Sequence, residues 1–237
     1  MAPLGRYDLR LGVQVGSNPT YPLAAAATVE VAWRLGLFAS PDDEQRYHRS
    51  RFVHLSAGAY PTAAPEVLRL AELWHFWLFS FDDRTDERHG DLARDLERHQ
   101  RLVSQLLALL DDPLGGPRDG DPHAIYLGEI LDELRRIASP RLQRRFDQHV
   151  RNYLLHGSMP GAINELRHEV PSLAEFIPQR LHEGAVFTVL PFVELGERID
   201  LSDKTVAHPL VQRLQDLADW FFRGWHAYQE PHVWRDL

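Results

Sequence analysis

Apolar residues recur along the chain at the three- and four-residue spacing of helix faces, and no segment alternates apolar and polar positions between hairpin turns as a half-buried strand would. The pattern predicts helices over Pro22 to Phe38, Pro65 to Asp82, Leu92 to Leu110, about His123 to Ala138, Pro140 to Gly157, Ser172 to Gly196 and Thr205 to Gln229. ASPDDE, after Phe38, reads as a breaker and DDPLGGPRDGDP as a loop. There is no internal repeat and no low-complexity tract. These elements sum to an all-α bundle, expected to be a single domain over residues 1–237.

The Pro65 to Asp82 helix stands apart. Proline suits its first turn, and Val67, Leu68, Leu70, Leu73, Trp74, Phe76, Trp77, Leu78, Phe79 and Phe81 cover most of its circumference, so it is expected at the centre of the bundle. It runs directly into Asp82, Asp83, Asp86 and Glu87. Like charges four residues apart repel by a few tenths of a kcal/mol, and carboxylates at a helix C-terminus oppose its macrodipole. One reading is a solvated helix end, partly neutralised by Arg84 and Arg88. The apolar lead-in favours another, in which the acids stand at the mouth of an apolar interior and hold a hard cation such as Mg²⁺, with water and substrate phosphates completing its shell. A diphosphate ester with an apolar tail would fit mouth and interior together.

Composition narrows the alternatives. A net charge of −8 argues against a nucleic-acid binder with a basic face. The absence of cysteine excludes disulfides, thiolate nucleophiles and cysteine zinc sites. MAPLGRYDLRLG lacks a signal-peptide apolar core and no run approaches the ~18 apolar residues of a membrane helix, so a cytoplasmic protein with no membrane partner is expected. The thirteen histidines show no HxxxH or HExxH pairing, and no GxSxG elbow or phosphate-cradling glycine loop is present.

Asp82-Asp83-Arg84-Thr85-Asp86 matches the DDxxD motif of class I terpene synthases, and FSFDDRTDE resembles the bacterial members in particular. NPTYPLAAAATVEVAWRLGLF and AYPTAAPEVLRLAELWHFWLF before the motif and VPSLAEFIPQRLHEG after it stand in the order expected, so the resemblance spans roughly Asn18 to Glu230. It implies a class I helical bundle around an apolar cavity. The implied reaction is Mg²⁺-dependent ionisation and cyclisation of an isoprenyl diphosphate, C15 first with C10 and C20 as alternatives. Diphosphate is released and a terpene hydrocarbon or alcohol is formed.

By the same likeness Asp82, Asp83, Asp86 and Glu87 would hold magnesium, three ions in all with bound diphosphate. Arg180 would grip diphosphate, Glu183, where the family usually has aspartate, would link, and Gly184 would mark a helix break. Phe76, Trp77 and Phe79 would offer ring faces to the carbocation. The second metal motif, NDxxSxxxE, is not reproduced in either register tried. One puts His226 at asparagine, with Glu230 at serine and Trp234 at glutamate; the other puts Glu230 at glutamate, with Phe222, Arg223 and His226 before it. His226 and Glu230, four apart on a predicted helix, remain candidate metal ligands. The family continues for several helices past this motif. A chain ending VWRDL is therefore expected to be truncated, or a natural short form sealed by another element or by a second copy in a homodimer. The alternative to an enzyme is a catalytically degenerate relative with a structural or isoprenoid-binding role.

Overall fold

The predicted central helix forms as α4 (Pro65–Thr85), and its buried positions run almost without interruption from Val67 to Leu78 and on to Phe81. This computed structural model describes residues 16–85, 90–93, 95–112, 120–167 and 172–218. Before α4 come α1 (Tyr21–Arg34), α2 (Pro41–Ser50) and α3 (Phe52–Ala59). After it come α5 (Leu96–Asp111), α6 (Pro122–Ile137), α7 (Pro140–Asn152) with a π-helical continuation over Tyr153–Ser158, and α8 (Met159–Arg167). The described chain closes with α9 (Leu173–Glu183), α10 (Val186–Gly196), α11 (Asp203–Val206) and a helical stretch over residues 209–218. No strand occurs among the described residues, and no described helix is long and apolar enough to cross a membrane.

The rest wraps α4. Trp74, Trp77 and Phe81 stack along one stripe with ring centroids 5.0 Å apart at each step. Phe146 from α7 meets Trp74 edge-on at 4.9 Å. On another stripe Phe76 packs between Phe38, Tyr47 and Tyr126. Each such side chain contributes roughly 1.5–3 kcal/mol through burial, so this ladder is the mechanical spine of the fold.

Three expectations about elements are corrected. ASPDDE starts a helix rather than breaking one: Ser40 is the N-cap of α2, Pro41 opens its first turn, and Asp43 completes a capping box by accepting the Ser40 N–H at 2.9 Å. Proline and aspartate signal a start as readily as a stop, and here the cap decides. The helix predicted to end at Gly157 continues as a π-helix into α8. The helix predicted over Ser172 to Gly196 is two, α9 and α10.

Behind α4, away from its acidic end, lies a buried polar network. The Tyr47 hydroxyl donates to Glu72 at 2.8 Å, Ser56 donates to its other oxygen, and His75 Nδ1 lies 2.7 Å from the Ser56 hydroxyl. Burial pushes the Glu72 carboxyl up to about 7, against the opposing pull of the hydrogen bonds from Ser56 and Tyr47. Burial alone pushes His75 down to about 4. The Glu72 contribution to stability is therefore whole below the ~4.3 of an unfolded glutamate and is lost as pH rises through its raised folded value; the His75 contribution is whole above ~6.5 and is lost as pH falls. Glu72→Gln removes the first effect. By calorimetry the variant's unfolding midpoint is expected to gain several degrees on the wild type between about pH 5 and about pH 8. A constant difference across that range would contradict a protonated Glu72.

Candidate active site

The acidic end of α4 is braced from behind. Asp82 is half-buried and Asp83 exposed, and the Thr85 hydroxyl donates back to the Asp82 carbonyl at 3.1 Å. Arg84 turns away from them. Its Nε and Nη2 donate to Asp91 at 2.7 and 2.8 Å, and its Nη1 and Nη2 donate to Asp121 at 2.8 and 3.0 Å. Asp121 also caps α6, accepting from His123 N at 2.9 Å. Arg84 is thus a strut between Asp91 and the start of α6, and not the neutraliser of the acidic cluster that its position in the sequence suggested.

Electrostatics agree with the geometry. The Arg84 hydrogen bond holds the Asp91 carboxyl below the usual carboxylate range. Burial would raise Asp121, but hydrogen bonds from His123 and Arg84 overcome it and hold that carboxyl well below the usual range. The backbone closes the same joint, since Leu92 N and Ala93 N both donate to Arg84 O at 3.1 Å. A Cβ at Gly90 would stand 2.3 Å from Arg84 O and 2.8 Å from Asp83 O, so only glycine lets the chain lie this close to the end of α4.

The sensor segment forms the end of α9. Arg180 Nη1 donates to Glu183 Oε2 at 3.1 Å, a partly buried pair on one helical face. Gly184 N still bonds Arg180 O at 3.2 Å with a right-handed φ of −65°. The turn itself falls on the next residue: Ala185 has φ 52° and α10 begins at Val186. The break lies where Gly184 predicted it, but the left-handed residue is an alanine, at a cost of roughly 1–2 kcal/mol.

One segment joins these two parts. Phe81, immediately before Asp82, packs edge-on against Tyr153 at 6.2 Å. One turn further along the π-helical stretch, Gly157 lies against the end of α9, where a Cβ would stand 2.6 Å from Glu183 N and 2.8 Å from the His182 carbonyl carbon. The acids of α4 and the Arg180 to Gly184 segment are thus connected through Tyr153–Ser158, as befits the functional sites at which π-helical turns recur.

The three candidate aromatics part company. Trp77 is fully buried, stacked with Trp74 and Phe81, and donates its indole N–H to His123 O at 2.9 Å. Phe76 is committed to the core contacts with Phe38, Tyr47 and Tyr126. Phe76 and Trp77, expected to face substrate, are instead buried among core aromatics, 6% and 0% exposed. Phe79 is half-buried, stacks on Phe52 at 3.9 Å, and lies three and four residues before Asp82 and Asp83 on their face of α4. Asp86, Glu87, His226 and Glu230 lie outside the described residues. A groove of about 390 Å³ opens at the other end of α4, beside Val67, Leu142 and Leu195, and is remote from the acids.

A sequence profile describing terpene synthase family 2, C-terminal metal binding, matches residues 73–223. The chain belongs to that family. Among its relatives is (+)-T-muurolol synthase ((2E,6E)-farnesyl diphosphate cyclizing) of Roseiflexus castenholzii, 33% identical over 208 residues that make up 85% of this chain and 60% of that one. The 4-epi-cubebol synthase ((2E,6E)-farnesyl diphosphate cyclizing) of Streptosporangium roseum is 30% identical over 178 residues, 74% of this chain and 52% of its own. The chain therefore spans between half and two thirds of the length of these relatives. The crystal structure of a-eudesmol synthase superposes with a TM-score of 0.78 at 21% identity, covering 91% of this chain and 69% of that one, so the fold is that of the class I terpene synthases.

A family defined by metal binding implies a divalent cation, and the donor set here fits one in part. Two adjacent carboxylates, one half-buried, sit at the negative end of a helix dipole, an arrangement that a cation relieves. Among the described residues no three His, Asp or Glu side chains gather into a complete ligand set. Asp82 and Asp83 could supply part of a coordination shell, as carboxylates do for a cation that also binds water and phosphate.

Proposed function

We propose that this terpene synthase ionises and cyclises an isoprenyl diphosphate, farnesyl diphosphate (C15) before C10 or C20, releasing diphosphate and a terpene hydrocarbon or alcohol. The observation that carries this reading is the intact DDRTD sequence at the end of a helix buried on nearly every side, braced by Arg84 and Gly90. The names of the two bacterial relatives, both farnesyl diphosphate cyclizing, favour the enzyme over a degenerate binding protein.

Asp82 and Asp83, with Asp86 and Glu87, would hold Mg²⁺, three ions with diphosphate in place; His226 and Glu230 are the candidates for the second metal-binding element. Bound magnesium would neutralise the charge that develops on the departing diphosphate oxygens. Arg180 binds those oxygens through a permanently charged, fork-shaped guanidinium, and Glu183 orients it. The break at Gly184 would offer a backbone carbonyl dipole to the allylic cation; the Ala185 carbonyl is already taken by Thr188. Phe79, stacked on Phe52, presents an aromatic surface one turn from the acids, worth about 0.5–2 kcal/mol of cation stabilisation. Apolar packing around α4 excludes the water that would quench the cation early.

The test is incubation of the purified chain with C10, C15 and C20 isoprenyl diphosphates, with and without Mg²⁺, and gas chromatography of the extract. A Mg²⁺-dependent terpene from the C15 substrate is expected. A folded chain that releases no product from any of the three would refute the activity.

A further inference from the structure

The break between α9 and α10 is not held by its own segment alone. Thr188, in the first turn of α10, is 1% exposed and donates its hydroxyl to the Ala185 carbonyl at 2.6 Å, beside its own N–H on the same oxygen at 2.9 Å. The Thr188 oxygen in turn accepts the indole N–H of Trp74, fully buried on α4, at 3.0 Å. A chain of hydrogen bonds therefore runs from the spine of the fold to the carbonyl of the one residue in the break that is left-handed. Tyr60 adds a tie to the same helix, donating its hydroxyl to Val189 O at 3.0 Å. From the opposite side Gly157 abuts His182 and Glu183 with no room for a Cβ.

We propose that Trp74 and Thr188 on one side and Gly157 on the other clamp the break, and act as positioning residues that set Arg180, Glu183 and the break carbonyls in register with the acids of α4. Three observations support this. Trp74 lies eight residues before Asp82 on the same helix, so a displacement of α10 against Trp74 is a displacement against the acids. Alanine lacks glycine's ease in the left-handed region, so Ala185 holds its conformation because neighbours impose it. The hydroxyl of Thr188 both donates and accepts within a dry site, a role valine has the shape for but not the chemistry.

The clamp rests on the proposed activity for its consequence, though not for its geometry. The test compares Thr188→Val, Thr188→Ser and Gly157→Ala in the full chain by amide hydrogen exchange over residues 180–190 and by kcat and KM for farnesyl diphosphate. Thr188→Val is expected to speed exchange about tenfold around Ala185. It is also expected to lower kcat by about 10²-fold with KM little changed, because a misplacement near 1 Å acts on the reacting geometry. Thr188→Ser keeps the hydroxyl and is expected to restore both to within about threefold. Gly157→Ala is expected to reproduce the kcat loss from the other side. Wild-type exchange and kcat in Thr188→Val would overturn the clamp, as would equal impairment of the valine and serine variants, which would reduce the role to packing. Accelerated exchange in Thr188→Val alongside a wild-type chain with no turnover would overturn the activity and leave the clamp in place.

Discussion

Asp82→Ala is expected to lower turnover of farnesyl diphosphate by about 10³-fold or more, with the far-UV helical signal unchanged. The effect on rate is large because a carboxylate ligand acts where charge develops, and no nearby described carboxylate apart from Asp83 replaces it. The effect on the fold is small for a separate reason. A half-buried acid at the C-terminus of α4 opposes the helix dipole by about 0.3–1 kcal/mol, which offsets part of what its other contacts contribute. Mg²⁺ and diphosphate add stability to the wild type by linkage and not to the variant. Thermal melts of both proteins with and without Mg²⁺ and diphosphate check this difference. A variant stabilised as much as the wild type would show that Asp82 is not a ligand.

Arg84→Ala carries the largest expected effect on stability, a loss of about 2–3 kcal/mol at neutral pH. The guanidinium divides its donors between Asp91 and Asp121, so among the described residues truncation leaves Asp121, 16% exposed, with only the His123 end of α6 and leaves Asp91, 39% exposed, with only Arg98. The pH dependence has a definite sign. Both carboxyls lie below their unfolded values, so the stability they contribute is present above about pH 4 and is lost as pH falls through their folded values. The difference between wild type and Arg84→Ala should therefore shrink between about pH 6 and about pH 3, as urea titrations at the two pH values would show. An undiminished difference at the lower pH would assign the loss to packing of the arginine stem.

These two variants also separate what was legible in the sequence from what was not. The centrality of α4 could be read because its apolar residues leave no polar face, and the chemistry at its end because four acids in six residues need an outside reason to adjoin one another. The role of Arg84 could not be read. Beside the acids in sequence it looks like their counter-ion, and only the return of Leu92 and Ala93 onto its carbonyl shows it facing the other way. Gly90 and Gly157 are likewise plain glycines until the backbone that each one meets, at Arg84 and at Glu183, is seen. The RLHEG segment located the break because glycine weakens a helix, yet the left-handed residue is Ala185, held by Thr188 and through it by Trp74 on a helix more than a hundred residues earlier. Spacing within one helix is a local signal; approach of distant backbone is not. Of the expected metal ligands, Asp86, Glu87, His226 and Glu230 lie outside the described residues, so the second metal-binding element rests on the sequence alone.

The measurement that bears most directly on the central claim is a calorimetric titration of inorganic diphosphate into the full chain, with and without Mg²⁺, repeated with Asp82→Ala. The account predicts saturable binding that requires both the metal and the Asp82 carboxylate. Binding of equal strength without Mg²⁺, or in the alanine variant, would contradict it.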